Sequence, residues 1–228
     1  YIKWGFIQFG QTGNLVSSYI ETSDGRPGFV DGNSGLVEAA IARHRATGDG
    51  GCTPYRGAFS AIQSAIRADF ELNPNEASNS RYMIFFMSDG GPTDYSTSGG
   101  GGCPASAPGQ PAYTDVTNTV NLTPPGPGRI FVSTAYYGPQ DQLANITGLQ
   151  NMATVYGGGR FVNIQSGQPI NLDDLISGGV VQDPYIIKNL VIYNLNANLC
   201  EDGKMDVDSD GDGICDRDET KPGIGLDP

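Results

Sequence analysis

The segment Asp208-Ser209-Asp210-Gly211-Asp212-Gly213-Ile214-Cys215-Asp216-Arg217-Asp218-Glu219 places side-chain oxygens at its first, third, fifth and ninth positions, glycine at the sixth and glutamate at the twelfth. That is the donor order of a twelve-residue loop wrapped around a calcium ion. Asp208, Asp210 and Asp212 converge from one side, Gly213 allows the reversal, and Ile214 offers its carbonyl. Asp216 lies at the ninth position, where a ligand often acts through water, and Glu219 closes the cage with two oxygens. The bland alternative is a solvated acidic tail, but such tails do not place Gly and Glu in register. Asp206 starts an overlapping acidic repeat that extends the pattern only weakly.

A second set of oxygen-bearing residues is spread through the longer part of the chain. Gly51-Cys52-Thr53-Pro54 opens a helical pattern, and Ser88-Asp89-Gly90-Gly91 follows an apolar run. Thr53 carries a hydroxyl and Asp89 a carboxylate, both hard oxygen donors. Taken singly, Thr53 reads as a helix N-cap and Asp89 as a turn former. Asp94 is near enough in sequence to serve as an outer ligand, although a surface-turn role is the simpler reading.

The elements that must carry these residues follow from pattern. Ile2 to Phe9 reads as a strand, Leu36 to Ala42 as helix, and Thr53 onward as a helix with Ala58, Ile62, Ala65 and Ile66 on one face. Tyr82 to Met87 is a continuous apolar run, the mark of a strand buried on both faces. A Gly-, Pro- and Ser-rich loop from Tyr95 to Arg129 includes a short helix within Tyr113 to Leu122. Then come a strand at Arg129 to Tyr136, a helix at Gln142 to Tyr156, a strand at Arg160 to Ile164 and a short helix from Leu172 to Ile176. Tyr185 to Tyr193 reads as a strand leading toward the calcium segment. Alternating strands and helices predict an α/β fold, a doubly wound, mostly parallel sheet with helices on both faces.

Residues 1 to about 180 resemble the von Willebrand factor A domain, on the strength of the Thr53-Pro54 turn, the Ser88-Asp89-Gly90 turn and the Gly157-Gly158-Gly159-Arg160-Phe161 strand entry. The last thirty or so residues resemble a thrombospondin type 3 calcium repeat, common in bacterial surface proteins. The resemblance implies a metal-ion-dependent adhesion site in which Thr53 and Asp89 bind Mg2+ or Mn2+ and a ligand carboxylate completes the shell. That family's Asp-x-Ser-x-Ser motif is absent, and Asp31-Gly32-Asn33-Ser34-Gly35 follows no apolar strand. The expectation is therefore a domain lacking its first strand, with an upstream portion supplying it. The predicted organisation is an A-like domain over 1–182, a connecting strand over 183–199 and a calcium segment over 200–228.

Four cysteines form an even set without metal-ligand spacing. Three pairings are possible, with reduced thiols as the alternative. Cys52 with Cys103 and Cys200 with Cys215 are the expected disulfides, since each pair joins loops that this reading brings together. A formal net charge of -12 argues against nucleic acid and anionic membranes as partners. No run of about twenty apolar residues is present to span a membrane. His44 is the single histidine, flanked by Arg43 and Arg45 on an exposed helical face, and offers little from which to build a Ser-His-Asp set. Trp4 reads as core. These features predict a non-enzymatic extracellular adhesion or binding module. Its partner would be a protein or glycan offering an acidic group, or other segments of the same surface protein, with calcium stiffening a C-terminal stalk. The alternative is a structural spacer of a surface fibre with a degenerate upper site.

Overall fold

The computed structural model describes residues 2–11, 15–46, 52–95, 108–164, 197–202, 205–207, 214 and 216–219. The chain divides into two compact units, Tyr1–Val181 and Gln182–Pro228. The first unit is mixed α/β. Its centre is a parallel sheet of β5 (Tyr82–Ser88), β6 (Ile130–Tyr136) and β7 (Gly158–Asn163), in that spatial order. Tyr82 is level with Ile130 and Ser88 with Tyr136, so β5 and β6 end together.

Hydrophobic burial selects these elements. α2 (Tyr55–Leu72) turns Tyr55, Ala58, Phe59, Ala65 and Ile66 inward. α4 (Gln110–Val120) adds Ala112 and Val116, and α5 (Leu143–Asn151) adds Leu149. All three meet Phe86, Val132 and Tyr136 of the sheet in one cluster. Phe86 is its hub: its ring stacks on Phe59 at 5.1 Å and on Phe9 at 4.9 Å, and meets Tyr55 edge-on at 4.7 Å. On the opposite sheet face, Ala135 and Ile164 are buried with Phe85, Met87 and Val162. Thr134 resolves its burial inside the core by donating to the Leu149 carbonyl at 2.7 Å.

Several elements differ from the sequence expectation. Ile2 to Phe9 is two strands, because the chain changes partner at Gly5-Phe6. β1 (Lys3–Trp4) pairs antiparallel with β4 (Val30–Asp31), and β2 (Ile7–Gln11) pairs antiparallel with β3 (Leu15–Ser18). Among the described residues, β2 bonds only β3, and β5 bonds only β6. Trp4 is half-buried beside Gly32 rather than in the core. The helix expected from Gln142 to Tyr156 is α5 followed by a wider π-helical turn, Met152–Gly157. That turn delivers the glycines of the β7 entry against β6, where a Cβ on Gly159 would sit 2.3 Å from the Val132 carbonyl oxygen. Helices α1 (Leu36–Ala46) and α3 (Pro74–Ala77) complete the described part of this unit. The helix expected at Leu172 to Ile176 and the strand at Tyr185 to Tyr193 lie outside the described residues.

In the second unit, β8 (Ala197–Leu199) and β9 (Met205–Val207) form an antiparallel hairpin, followed by the single-turn helix α6 (Asp216–Glu219). Among the described residues, no helix is long and apolar enough to cross a membrane.

Candidate metal centre

In a parallel sheet the strand carboxyl ends gather the turns that can hold a ligand. β5 and β6 end side by side here, and Tyr137 N–H donates to the Ser88 carbonyl at 3.2 Å just beyond them. Gly138 approaches the Asp89 turn so closely that a Cβ would lie 2.0 Å from the Asp89 carbonyl oxygen. Side chains larger than hydrogen are therefore excluded at that junction.

The turn after β5 is laced to the start of α2. Thr53 N–H donates to Thr93 Oγ1 at 2.7 Å, and Thr93 N–H donates back to the Thr53 carbonyl at 2.9 Å. Tyr55 donates its hydroxyl proton to the Gly90 carbonyl at 2.6 Å. Asp94 Oδ2 accepts Gly57 N–H at 2.9 Å. The two sequence segments expected to form a site, Thr53-Pro54 and Ser88-Asp89-Gly90, thus come together. The Thr53 hydroxyl lies 3.7 Å from where a Cβ on Gly90 would be.

Two expected roles change. Thr53 does not cap α2: Pro54 occupies the N-cap position and makes no side-chain capping bond. The free N–H of the first turn is instead satisfied by Asp94, from a turn 37 residues away in sequence. Asp94 is therefore a helix cap supplied from outside the helix. Its second oxygen, Oδ1, is buried without a hydrogen-bond partner.

Thr53 is half-buried and Asp89 exposed. Together their side chains carry three oxygens, where an octahedral ion takes six. Neighbouring hydroxyls are already engaged, Thr93 by Thr53 N–H and Ser88 by the Gly90 backbone. Among the described residues, no group of three or more His, Cys, Asp or Glu side chains is disposed to hold a metal ion.

The electrostatics of this rim are acidic. Burial pushes the Tyr55 phenol well above its ordinary range, and the nearby Asp89 charge pushes it further. Tyr136 is raised by burial and then by Asp89 and Asp141, while its hydroxyl donates to the Pro139 carbonyl at 2.9 Å. On the flank, Tyr95 donates to Asp115 at 2.5 Å and lies under the Arg56 guanidinium, 4.7 Å from the ring centre. That fastens the start of the long loop to α2 and α4. His44 is exposed, its ring tilted against Phe6 at 5.7 Å.

In the second unit, Ile214 and Asp216 to Glu219 of the twelve-residue loop are described, whereas Asp208, Asp210, Asp212 and Cys215 are not. α6 begins at the ninth position of that loop and ends at the twelfth. Cys52 and Cys200 are each disulfide-bonded. Cys103 and Cys215 lie outside the described residues.

No family model matches this sequence, and no curated protein matches it either. The sequence reading does not single out Tyr55, Thr93 or Asp218, and it names Asp94 as an outer ligand or surface turn rather than a helix cap. Each bonds a residue well separated from it in the chain, a partnership that local sequence does not display.

Proposed function

We propose that the chain is an extracellular binding module of von Willebrand A-like, doubly wound architecture. In this reading it grips an acidic group of a protein or glycan partner through a divalent ion at Thr53 and Asp89. The observation that carries the reading is the lacing of the Thr53 and Asp89 turns by paired hydrogen bonds at the carboxyl ends of β5 and β6. An ion held by few protein anions keeps waters that an incoming carboxylate can replace. The excess of acidic residues suits cation uptake, and the two disulfide-bonded cysteines suit an oxidising exterior. The C-terminal loop binds Ca2+ through Asp208, Asp210, Asp212, Ile214, Asp216 and Glu219 and stiffens the segment that holds it.

The test uses Mn2+ as a spectroscopic stand-in for Mg2+. Electron paramagnetic resonance of the full chain is expected to show bound Mn2+, lost with EDTA and weakened by Asp89→Ala while the domain stays folded. Mn2+ uptake indifferent to Asp89→Ala would refute the assignment. A second reading, a structural spacer with a degenerate upper site, is favoured by the absence, among the described residues, of any group of three or more His, Cys, Asp or Glu side chains disposed to hold an ion. It predicts that calcium removal changes protease cleavage only within residues 200 to 228, with no Mn2+ effect at the upper rim.

A further inference from the structure

The short second unit holds a carboxylate that the ligand pattern leaves unused. Asp218 stands at the eleventh position of the loop, between the two helical positions assigned to the ion, and is only 4% exposed. Its Oδ2 accepts the backbone N–H of Glu201 at 2.7 Å. Beside it, Arg217 Nη2 donates to Asp202 Oδ1 at 2.9 Å. Glu201 and Asp202 belong to the turn between β8 and β9, and β9 ends at Val207, directly before Asp208. The last four positions of the loop are therefore fastened to the hairpin whose second strand leads into its first position.

The two fastenings are unequal. The Arg217–Asp202 pair is about half exposed on both sides, where ion pairs contribute little. The Asp218 bond is part-buried, its carboxylate only 4% exposed, and is made by a charged acceptor, the stronger class. Removing its acceptor takes away that charge-assisted bond to the Glu201 amide.

We propose that Asp218 is a positioning residue for the calcium loop. By holding the Glu201 amide it fixes α6, and with it the backbone of Glu219, against the β8–β9 hairpin. Ion affinity and hairpin order are then one linked equilibrium, and the linkage is reciprocal. The inference rests on the calcium reading of the loop.

The experiment uses the full chain, with calcium titrated by calorimetry and amide exchange followed at Glu201. The unaltered chain is expected to bind calcium, and calcium is expected to slow exchange at the Glu201 amide. Asp218→Ala should lower calcium affinity about tenfold and uncouple that amide from calcium, as loss of one charge-assisted hydrogen bond implies. Asp218→Asn keeps an oxygen acceptor and should stay within about threefold of the unaltered chain, a rescue that a ligand role would not allow. Calcium binding that is equal in the unaltered chain and Asp218→Ala overturns the proposal and leaves the calcium reading standing. A loss in Asp218→Asn as large as that in Asp208→Ala also overturns it, making Asp218 a ligand. No calcium uptake by the unaltered chain removes the calcium reading and the proposal together.

Discussion

Replacing Asp94 by alanine tests whether the upper site is held together by a cap supplied from the turn that follows β5. The substitution removes the acceptor that holds Gly57 N–H at 2.9 Å in the first turn of α2. Loss of a side-chain cap costs about 1 kcal/mol, and loss of a negative charge at a helix N-terminus adds about 0.3–1 kcal/mol. One opposing effect comes from Asp94 Oδ1, which is buried without a partner, so its removal returns part of a desolvation cost. The net expectation is a destabilisation of about 1 kcal/mol. Trp4 is the single tryptophan and belongs to the first unit, so its fluorescence in urea follows that unit without the other. With a slope of about 2 kcal/mol per molar urea, the midpoint should fall by about 0.5 M at unchanged slope. Asp94→Asn should fall as well, since its amide group would bury a donor where the unpartnered oxygen now sits. A midpoint for Asp94→Ala equal to or above that of the unaltered chain would refute the capping argument and its lacing of the Thr53 turn.

Three further outcomes follow from the packing and the buried phenols. Phe86→Ala, which empties the hub between Phe59, Phe9 and Tyr55, should cost about 3–5 kcal/mol in the same urea assay, and a loss below about 1 kcal/mol would contradict that role. Tyr55, Tyr82, Tyr95 and Tyr136 all have phenols raised by burial above their ordinary range. A group raised on folding contributes stability below its unfolded pKa and loses it as pH climbs toward the folded value. Stability should therefore fall above about pH 10, with part of the phenolate absorbance appearing only on unfolding; smooth titration of all eleven tyrosines in the folded state would contradict this. Gly138→Ala, whose Cβ would lie 2.0 Å from the Asp89 carbonyl oxygen, should destabilise the fold and weaken Mn2+ uptake together, and an unchanged Mn2+ affinity would separate that junction from the site.

Apolar continuity made the central strands legible. The runs ending at Met87 and Tyr136 became β5 and β6, because a strand buried on both faces has no polar side to confuse the pattern. Thr53 and Asp89 were also legible, since turns at strand ends have a local vocabulary of Gly, Pro and Asp. What fastens them was not. Thr53 resembles an N-cap by type, yet the cap comes from Asp94, and such a partnership depends on how β5 and α2 meet in space. The break at Gly5-Phe6 was hidden for a similar reason: Lys3–Trp4 and Ile7–Gln11 both favour strand, and only their different partners separate them. In the second unit, Asp218 reads as one more acidic residue until its bond to Glu201 distinguishes it.

Calorimetric titration of the chelator-stripped full chain with Ca2+, repeated on Glu219→Gln, bears most directly on whether these oxygen-rich turns are built for hard cations. One saturable calcium site, weakened at least tenfold in Glu219→Gln, is the predicted result. No measurable uptake by the unaltered chain, or equal affinity in both proteins, would contradict the account.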